Sequence, residues 1–104
     1  MDVEDDFDIT IELDGDRRTL GLHGELDLAT VAVLSDCLSD GRSLDTVVDL
    51  SDLTFIGAPG LRALVIAQKR ATREGWKLSV RGATGSVATT LAITHLHEVL
   101  TVEP

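Results

Sequence analysis

The stretch VVDLSDLTFIGAPGLRAL, residues 47–64, decides how this chain folds. Val47-Val48-Asp49-Leu50 is short, apolar and β-branched, which suits an interior strand. Gly57-Ala58-Pro59-Gly60 interrupts the run. After it, Leu61, Leu64, Val65 and Ala71 recur at helical spacing. Gln68, Lys69, Arg70, Arg73 and Glu74 read as the exposed side of that helix, and Gly75 as its stop. Proline in the first turn fits a helix start, because the missing N–H would have had no partner there. A strand that hands the chain to a helix is the repeating unit of a parallel sheet. Such junctions usually carry the working groups of α/β proteins, yet this one holds almost no chemistry.

Working outward, Phe7, Ile9, Ile11 and Leu13 alternate with Asp8, Thr10 and Glu12, which predicts a strand with one face buried. Asp14-Gly15-Asp16 has turn chemistry, and Leu20 and Leu22 then alternate with Thr19, Gly21 and His23. Together these predict an antiparallel hairpin. Leu28, Val31, Leu34 and Leu38 follow at helical spacing, with Asp27 placed as N-cap and Gly41 as C-cap. Trp76–Val80 alternates again. Ser86 is placed to cap a short third helix with Val87, Leu91 and Ile93 as apolar positions, and Val99–Val102 is long enough for a last strand. The expected fold class is α/β. It is a single domain over residues 7–104, with a mixed, mostly parallel β-sheet, an N-terminal antiparallel hairpin and three to four helices packed against it. Residues 1–6 read as a loose acidic tail.

The chain has 104 residues, enough for one domain and short for two. Hydrophobic residues make up 43%, so a packed core is expected. Trp76, Phe7 and Phe55 are the only aromatics besides histidine, too few for base-stacking platforms. The formal net charge of −9 repels phosphate backbones and anionic lipid surfaces and suits a partner with a basic patch, although by itself it reads first as a means of keeping the protein soluble. Met1-Asp2-Val3-Glu4-Asp5-Asp6 is acidic where a secretory leader would be basic, and no apolar run reaches membrane-spanning length. Cys37 is the single cysteine, so no internal disulfide is available. These features lead us to expect a cytoplasmic protein with no membrane insertion and no direct nucleic-acid contact.

Catalytic and metal chemistry is not expected. His23, His95 and His97 lack zinc-ligand spacing, and the cysteine is remote from them. No Gly-x-Ser-x-Gly elbow is present. Cys37 falls within the first predicted helix beside its apolar stripe, the place of a small packing residue. Neither Gly-x-Gly-x-x-Gly nor the P-loop pattern occurs, and Pro59 removes one donor from the helix start at Gly57–Gly60. Glu25 and Asp27, in Gly24-Glu25-Leu26-Asp27-Leu28, sit where acids complement a helix N-terminus.

Three segments, in order, resemble one family. LHGELDLAT (22–30) is similar to the Gly-Glu-Leu-Asp segment of STAS domains, the anti-sigma factor antagonist fold. VVDLSDLTFIGAPGLRAL resembles that family's signature strand, loop and helix, whose usual text is close to Val-Asp-Leu-Ser-x-Val-x-Phe-Ile-Asp-Ser-Ser-Gly-Leu. GWKLSVRGATGSVATTLAITHL (75–96) resembles its last strand and helix. The likeness spans nearly the whole chain and implies the family's small sheet with helices packed on it. It also implies a binding protein without a cofactor. Its partner would be an anti-sigma factor that is a serine kinase of the histidine-kinase-like ATPase type, and binding would release a sigma factor. In such relatives the kinase phosphorylates the first serine of Asp-Ser-Ser-Gly and the complex separates, since a phosphate brings roughly two negative charges to a packed interface.

Here that position is Ala58, which has no hydroxyl, and Gly57 replaces the preceding acid. The resemblance therefore implies a partner-binding surface at Glu25, Asp27, Gly57, Ala58, Pro59, Gly60 and Arg62, without the usual switch. Ser51, Thr54 and Ser86 are the nearby hydroxyls where a switch would have to have moved. The alternative is that Ala58 and Pro59 only make a good helix start and the binding site lies elsewhere. Docking on a transporter ATPase, membership of a stress-sensing scaffold, and a nucleotide-binding or weakly catalytic role are the rival readings.

Overall fold

The computed structural model describes residues 7–39 and 44–103. Strand β1 (Asp8–Asp14) and strand β2 (Arg17–Leu26) form the expected antiparallel hairpin, with Ile9 opposite Leu22 and Ile11 opposite Leu20. Gly15 turns the chain between them at φ 66°, a conformation that glycine adopts without penalty. Helix α1 (Val31–Leu38) carries the chain to strand β3 (Asp45–Ile56), helix α2 (Ala58–Glu74) to strand β4 (Leu78–Arg81), and helix α3 (Gly85–Ile93) follows. The sheet order is β1-β2-β3-β4, and β2–β3 and β3–β4 pair in parallel. The α/β class, the mixed sheet and the N-terminal hairpin are as the sequence predicts.

One apolar cluster joins the helices to one side of the sheet. Leu34 and Leu38 of α1, Leu64, Ala67 and Ala71 of α2, and Val87 and Leu91 of α3 meet Leu20, Leu22, Val48, Leu50, Leu78 and Val80 of the strands. Alternation sends Thr19, Gly21, His23, Asp49 and Ser51 to the other side, where no helix packs among the described residues. The domain is thus two layers with a polar sheet face opposite the core. On that face Asp49 accepts hydrogen bonds from the Ser51 hydroxyl (2.7 Å), the Ser51 N–H (2.9 Å) and Arg81 Nε (3.3 Å). The two Ser51 bonds, with a smaller contribution from Arg81, hold its carboxyl below the usual carboxylate range against a partial burial that pushes the other way.

The α2 boundaries match expectation. Pro59 lies in its first turn, and Gly75 at φ 87° ends it, with the Gly75 and Trp76 N–H groups both donating to the Ala71 carbonyl. Several other expectations are corrected. Leu28, assigned to the first helix's core stripe, is 79% exposed, because α1 starts three residues later behind the N-cap Thr30. Asp27 is therefore not the N-cap. Ile11 and Leu13 are exposed although they share the face of Phe7 and Ile9, since no helix reaches that end of β1 among the described residues. β3 runs well beyond Val47–Leu50. Two shifts of register against β2, between Gly21 and His23 and between Gly24 and Glu25, break its alternation. Thr84 is the N-cap of α3, and the Ser86 hydroxyl donates instead to the Thr54 carbonyl at 3.0 Å. Ile93 is exposed. The last strand is a single parallel bridge, Val80 to Val102, preceded by a 3-10 turn at Leu96–Glu98. The Gly41 C-cap and the 1–6 tail lie outside the described residues.

Two stability measurements follow from this packing. Leu34→Ala should destabilise the fold by about 2–5 kcal/mol in urea unfolding, whereas Leu28→Ala should change it by less than about 0.5 kcal/mol. A depressed carboxyl pKa in the folded state contributes stability that is present above the unfolded-state value and lost as pH falls through the folded one. Asp49→Asn should therefore cost stability at about pH 7, and its difference from the parent should shrink as pH is lowered below the usual carboxylate range.

Candidate partner-binding site

The carboxyl ends of β2 and β3 stop side by side, with Leu26 paired to Ile56. The Gly57 N–H donates to the Leu26 carbonyl at 2.9 Å, which fastens the strand-to-helix junction to the end of the neighbouring strand. Gly57 is the N-cap of α2 in an extended conformation, and its carbonyl accepts the first helical bond from Leu61 N–H at 3.1 Å. No side chain caps this terminus. Gly60 is buried and faces back onto the sheet. A Cβ there would lie 2.7 Å from Leu26 side-chain carbons and 3.0 Å from Ile56, so only glycine lets the helix approach this closely. Ala58 is exposed and Pro59 half-buried at the same turn. Arg62, four residues on from Ala58 and so on the same side of the helix, is exposed with no ion pair among the described residues.

Asp27 is committed locally. Its Oδ1 accepts from Ala29 N–H at 3.0 Å and Thr30 N–H at 3.2 Å, and its carbonyl accepts from Val31 N–H at 2.9 Å. This is an Asx turn that starts the chain towards α1. Thr30, 5% exposed, completes it by accepting from the Asp27 N–H at 2.9 Å and donating to the Glu25 carbonyl at 2.8 Å. Glu25, paired with Phe55 across the strands, is exposed without a partner cation among the described residues.

The structure thus brings Asp27, Gly57, Ala58 and Gly60 to one rim, with Glu25 on the adjoining strand and Arg62 one helical turn away. Sequence reading missed the apolar part of this rim. Leu28 at 79%, Ile66 at 54% and Phe55 at 46% are all exposed around it. Phe55 touches the junction itself, 3.3 Å from where a Gly57 Cβ would stand, and Ile66 continues the Ala58–Arg62 side of α2. Period alone assigns such residues to the core. It missed Thr30 too, although an acid three residues before a threonine at a helix start is a local capping pattern.

The hydroxyls near the rim are engaged with backbone or neighbouring side chains. Thr54 Oγ1 donates to the Gly24 carbonyl at 3.0 Å, Ser86 to Thr54, and Ser51 to Asp49. Elsewhere, His95 and His97 make local contacts with Glu98 and with the Leu91 carbonyl, and His23 lies 3.3 Å from Asp52. Among the described residues no group of three or more potential ligands is arranged to hold a metal ion, and no helix is long and apolar enough to cross a membrane. Cys37 is half-buried in α1 against the core.

Comparison with known proteins follows the same lines. The fold is that of an anti-sigma factor antagonist from Mycobacterium paratuberculosis, with TM-score 0.82 and 22% identity over 100% of this chain and 91% of that one. An antisigma-factor antagonist STAS domain from Rhodobacter sphaeroides superposes with TM-score 0.62 and 28% identity over 73% and 86%. The phosphorylated form of the Bacillus cell fate determinant SpoIIAA gives 0.71 and 13% over 93% and 92%. No curated protein matches in sequence. A family model described as "Mlab, STAS domain" matches residues 9–102, and the chain belongs to the STAS domain family.

Proposed function

We propose that this protein is an anti-sigma factor antagonist: a cytoplasmic, non-enzymatic binding module that captures an anti-sigma factor of the serine-kinase type and so frees a sigma factor for transcription. The carrying observation is Ala58, an exposed methyl at the first residue of α2, on a rim with Leu28, Phe55 and Ile66 exposed around it. A kinase that recognises this rim finds no acceptor at the usual position, so the complex lacks that off-switch. Glu25, Asp27, Gly57, Ala58, Pro59, Gly60 and Arg62 form the contact surface. Three exposed apolar side chains there supply the desolvated centre that a protein interface needs, and Glu25 and Arg62 supply a charged edge. Asp27 acts mainly by shaping the loop, because its carboxylate is already occupied by backbone N–H groups.

A second reading uses the same rim. Docking on the ATPase of a transporter is favoured by the missing hydroxyl, since such a partner needs no phosphoacceptor. Affinity capture from the native cell separates the two: an anti-sigma kinase supports the first reading, a transporter ATPase the second.

With a captured anti-sigma kinase and ATP, intact-mass measurement should show no phosphate added to the protein, and Ala58→Ser should gain one. A phosphate mapped to Ser51, Thr54 or Ser86 of the parent would mean that the switch has moved and not been lost. Ala58→Asp should weaken the complex by at least about tenfold, roughly 1.4 kcal/mol, because it brings a charge that must be desolvated at the centre of the interface. Unchanged affinity would take the loop out of the interface.

A further inference from the structure

The two edges of the sheet are treated differently. Beyond β4 the chain pairs with its own later residues: Val80 N–H donates to the Thr101 carbonyl and Glu103 N–H to the Val80 carbonyl, both at 2.8 Å. The β1 edge has no such cover among the described residues. β1 is a regular seven-residue strand, Asp-Ile-Thr-Ile-Glu-Leu-Asp, with an unbroken register against β2 and neither proline nor glycine. Its outward backbone groups are a template for another strand. Ile11 is 55% and Leu13 56% exposed on the helix side of that edge. Asp8, Glu12 and Asp14 are exposed on the other side and make no ion pair among the described residues. The edge is distinct from the Glu25–Arg62 rim, because Asp14 pairs with Arg17 at the opposite end of β2.

Charge decides what fits. A second copy pairing antiparallel with Ile11 at the centre would set Asp8 against Asp14. Sliding by two residues would set Asp8 against Glu12, or Glu12 against its own copy. Like charges directly opposite are destabilising, and each chain carries a net charge of −9. The acids thus guard the edge against self-association while leaving it complementary to a strand of opposite charge. We propose that the outer edge of β1 is a docking site for an extended partner segment in which basic residues alternate with apolar ones. The apolar residues cover Ile11 and Leu13, the basic ones meet Asp8, Glu12 and Asp14, and the backbones complete a fifth strand.

A fluorescent peptide of about seven residues with alternating Val and Lys tests this by anisotropy, with Val-Glu and Gly-Lys peptides of the same length as controls. The Val-Lys peptide should bind, and both controls should be at least about tenfold weaker. Backbone amide shifts should centre on Asp8–Asp14. Glu12→Lys with Asp14→Lys, at exposed positions whose folding is checked by circular dichroism, should weaken binding by about tenfold or more. No binding up to about 1 mM would overturn the proposal. So would shifts centred on the Ala58 rim or the Asp49 face, equal binding by Gly-Lys, affinity untouched by the lysine variants, or a dimer in sedimentation that Ile11→Lys dissolves.

Discussion

The approach of Gly60 to Leu26 is the contact on which the rest of the arrangement depends. A helix that follows a parallel strand must turn back over the sheet at once, and the separation it can reach is set by what lies between the two backbones at its first turn. Here the helix contributes no side chain and the sheet contributes Leu26, whose side-chain carbons would stand 2.7 Å from a Cβ at Gly60. The close approach seats Leu64, Ala67 and Ala71 on the strands, and it fixes the residues just before Gly60 at the sheet's end. The hydrogen bond from Gly57 to the Leu26 carbonyl secures the same junction through the backbone. Ala58 is exposed because the residue two places on is buried.

This explains why a terminus so poor in functional groups is still well defined. α2 begins without a side-chain cap, and its position comes from packing and a main-chain bond. The opposing loop is fixed differently, by the Asp27–Thr30 turn, whose polar groups satisfy one another. Two independently anchored segments present a small, largely apolar rim, which suits binding a protein surface better than activating a small molecule.

How far the sequence foretells this varies by element. The hairpin and α2 are legible because strict alternation, a helical stripe and Gly/Pro punctuation agree with one another. α1 is legible in kind but not in its start, because Leu28 extends the apolar stripe into a turn that Asp27 and Thr30 impose. The far half of β3 is hidden, since its core residues Leu50, Leu53 and Ile56 fall three apart, a spacing that suits a helical face better than a strand. The closing strand shrinks to one bridge because the Val80 backbone alone reaches Val102. At the site, Asp27 and the Gly57–Gly60 loop are visible through the family resemblance. Leu28, Phe55 and Ile66 are not, because apolar residues read as core until a structure shows which of them the layers leave uncovered.

The two register shifts along β3 carry a consequence for how this fold varies. Between Gly21 and Glu25 of β2 the partner strand advances from Asp49 to Phe55, two residues more than β2 does. Each extra residue is absorbed where two successive exposed side chains follow one another, Ser51 with Asp52 and Thr54 with Phe55, while Leu53 stays opposite Gly24 and buried Ile56 opposite buried Leu26. The phase of the core is therefore set by the unbroken alternation of β2 and survives each shift separately, and the turn into α2 leaves from the core side. Removing either extra residue would restore plain alternation at that point and leave Ile56 opposite Leu26. The segment can thus change length one residue at a time on its polar side without turning the core outwards.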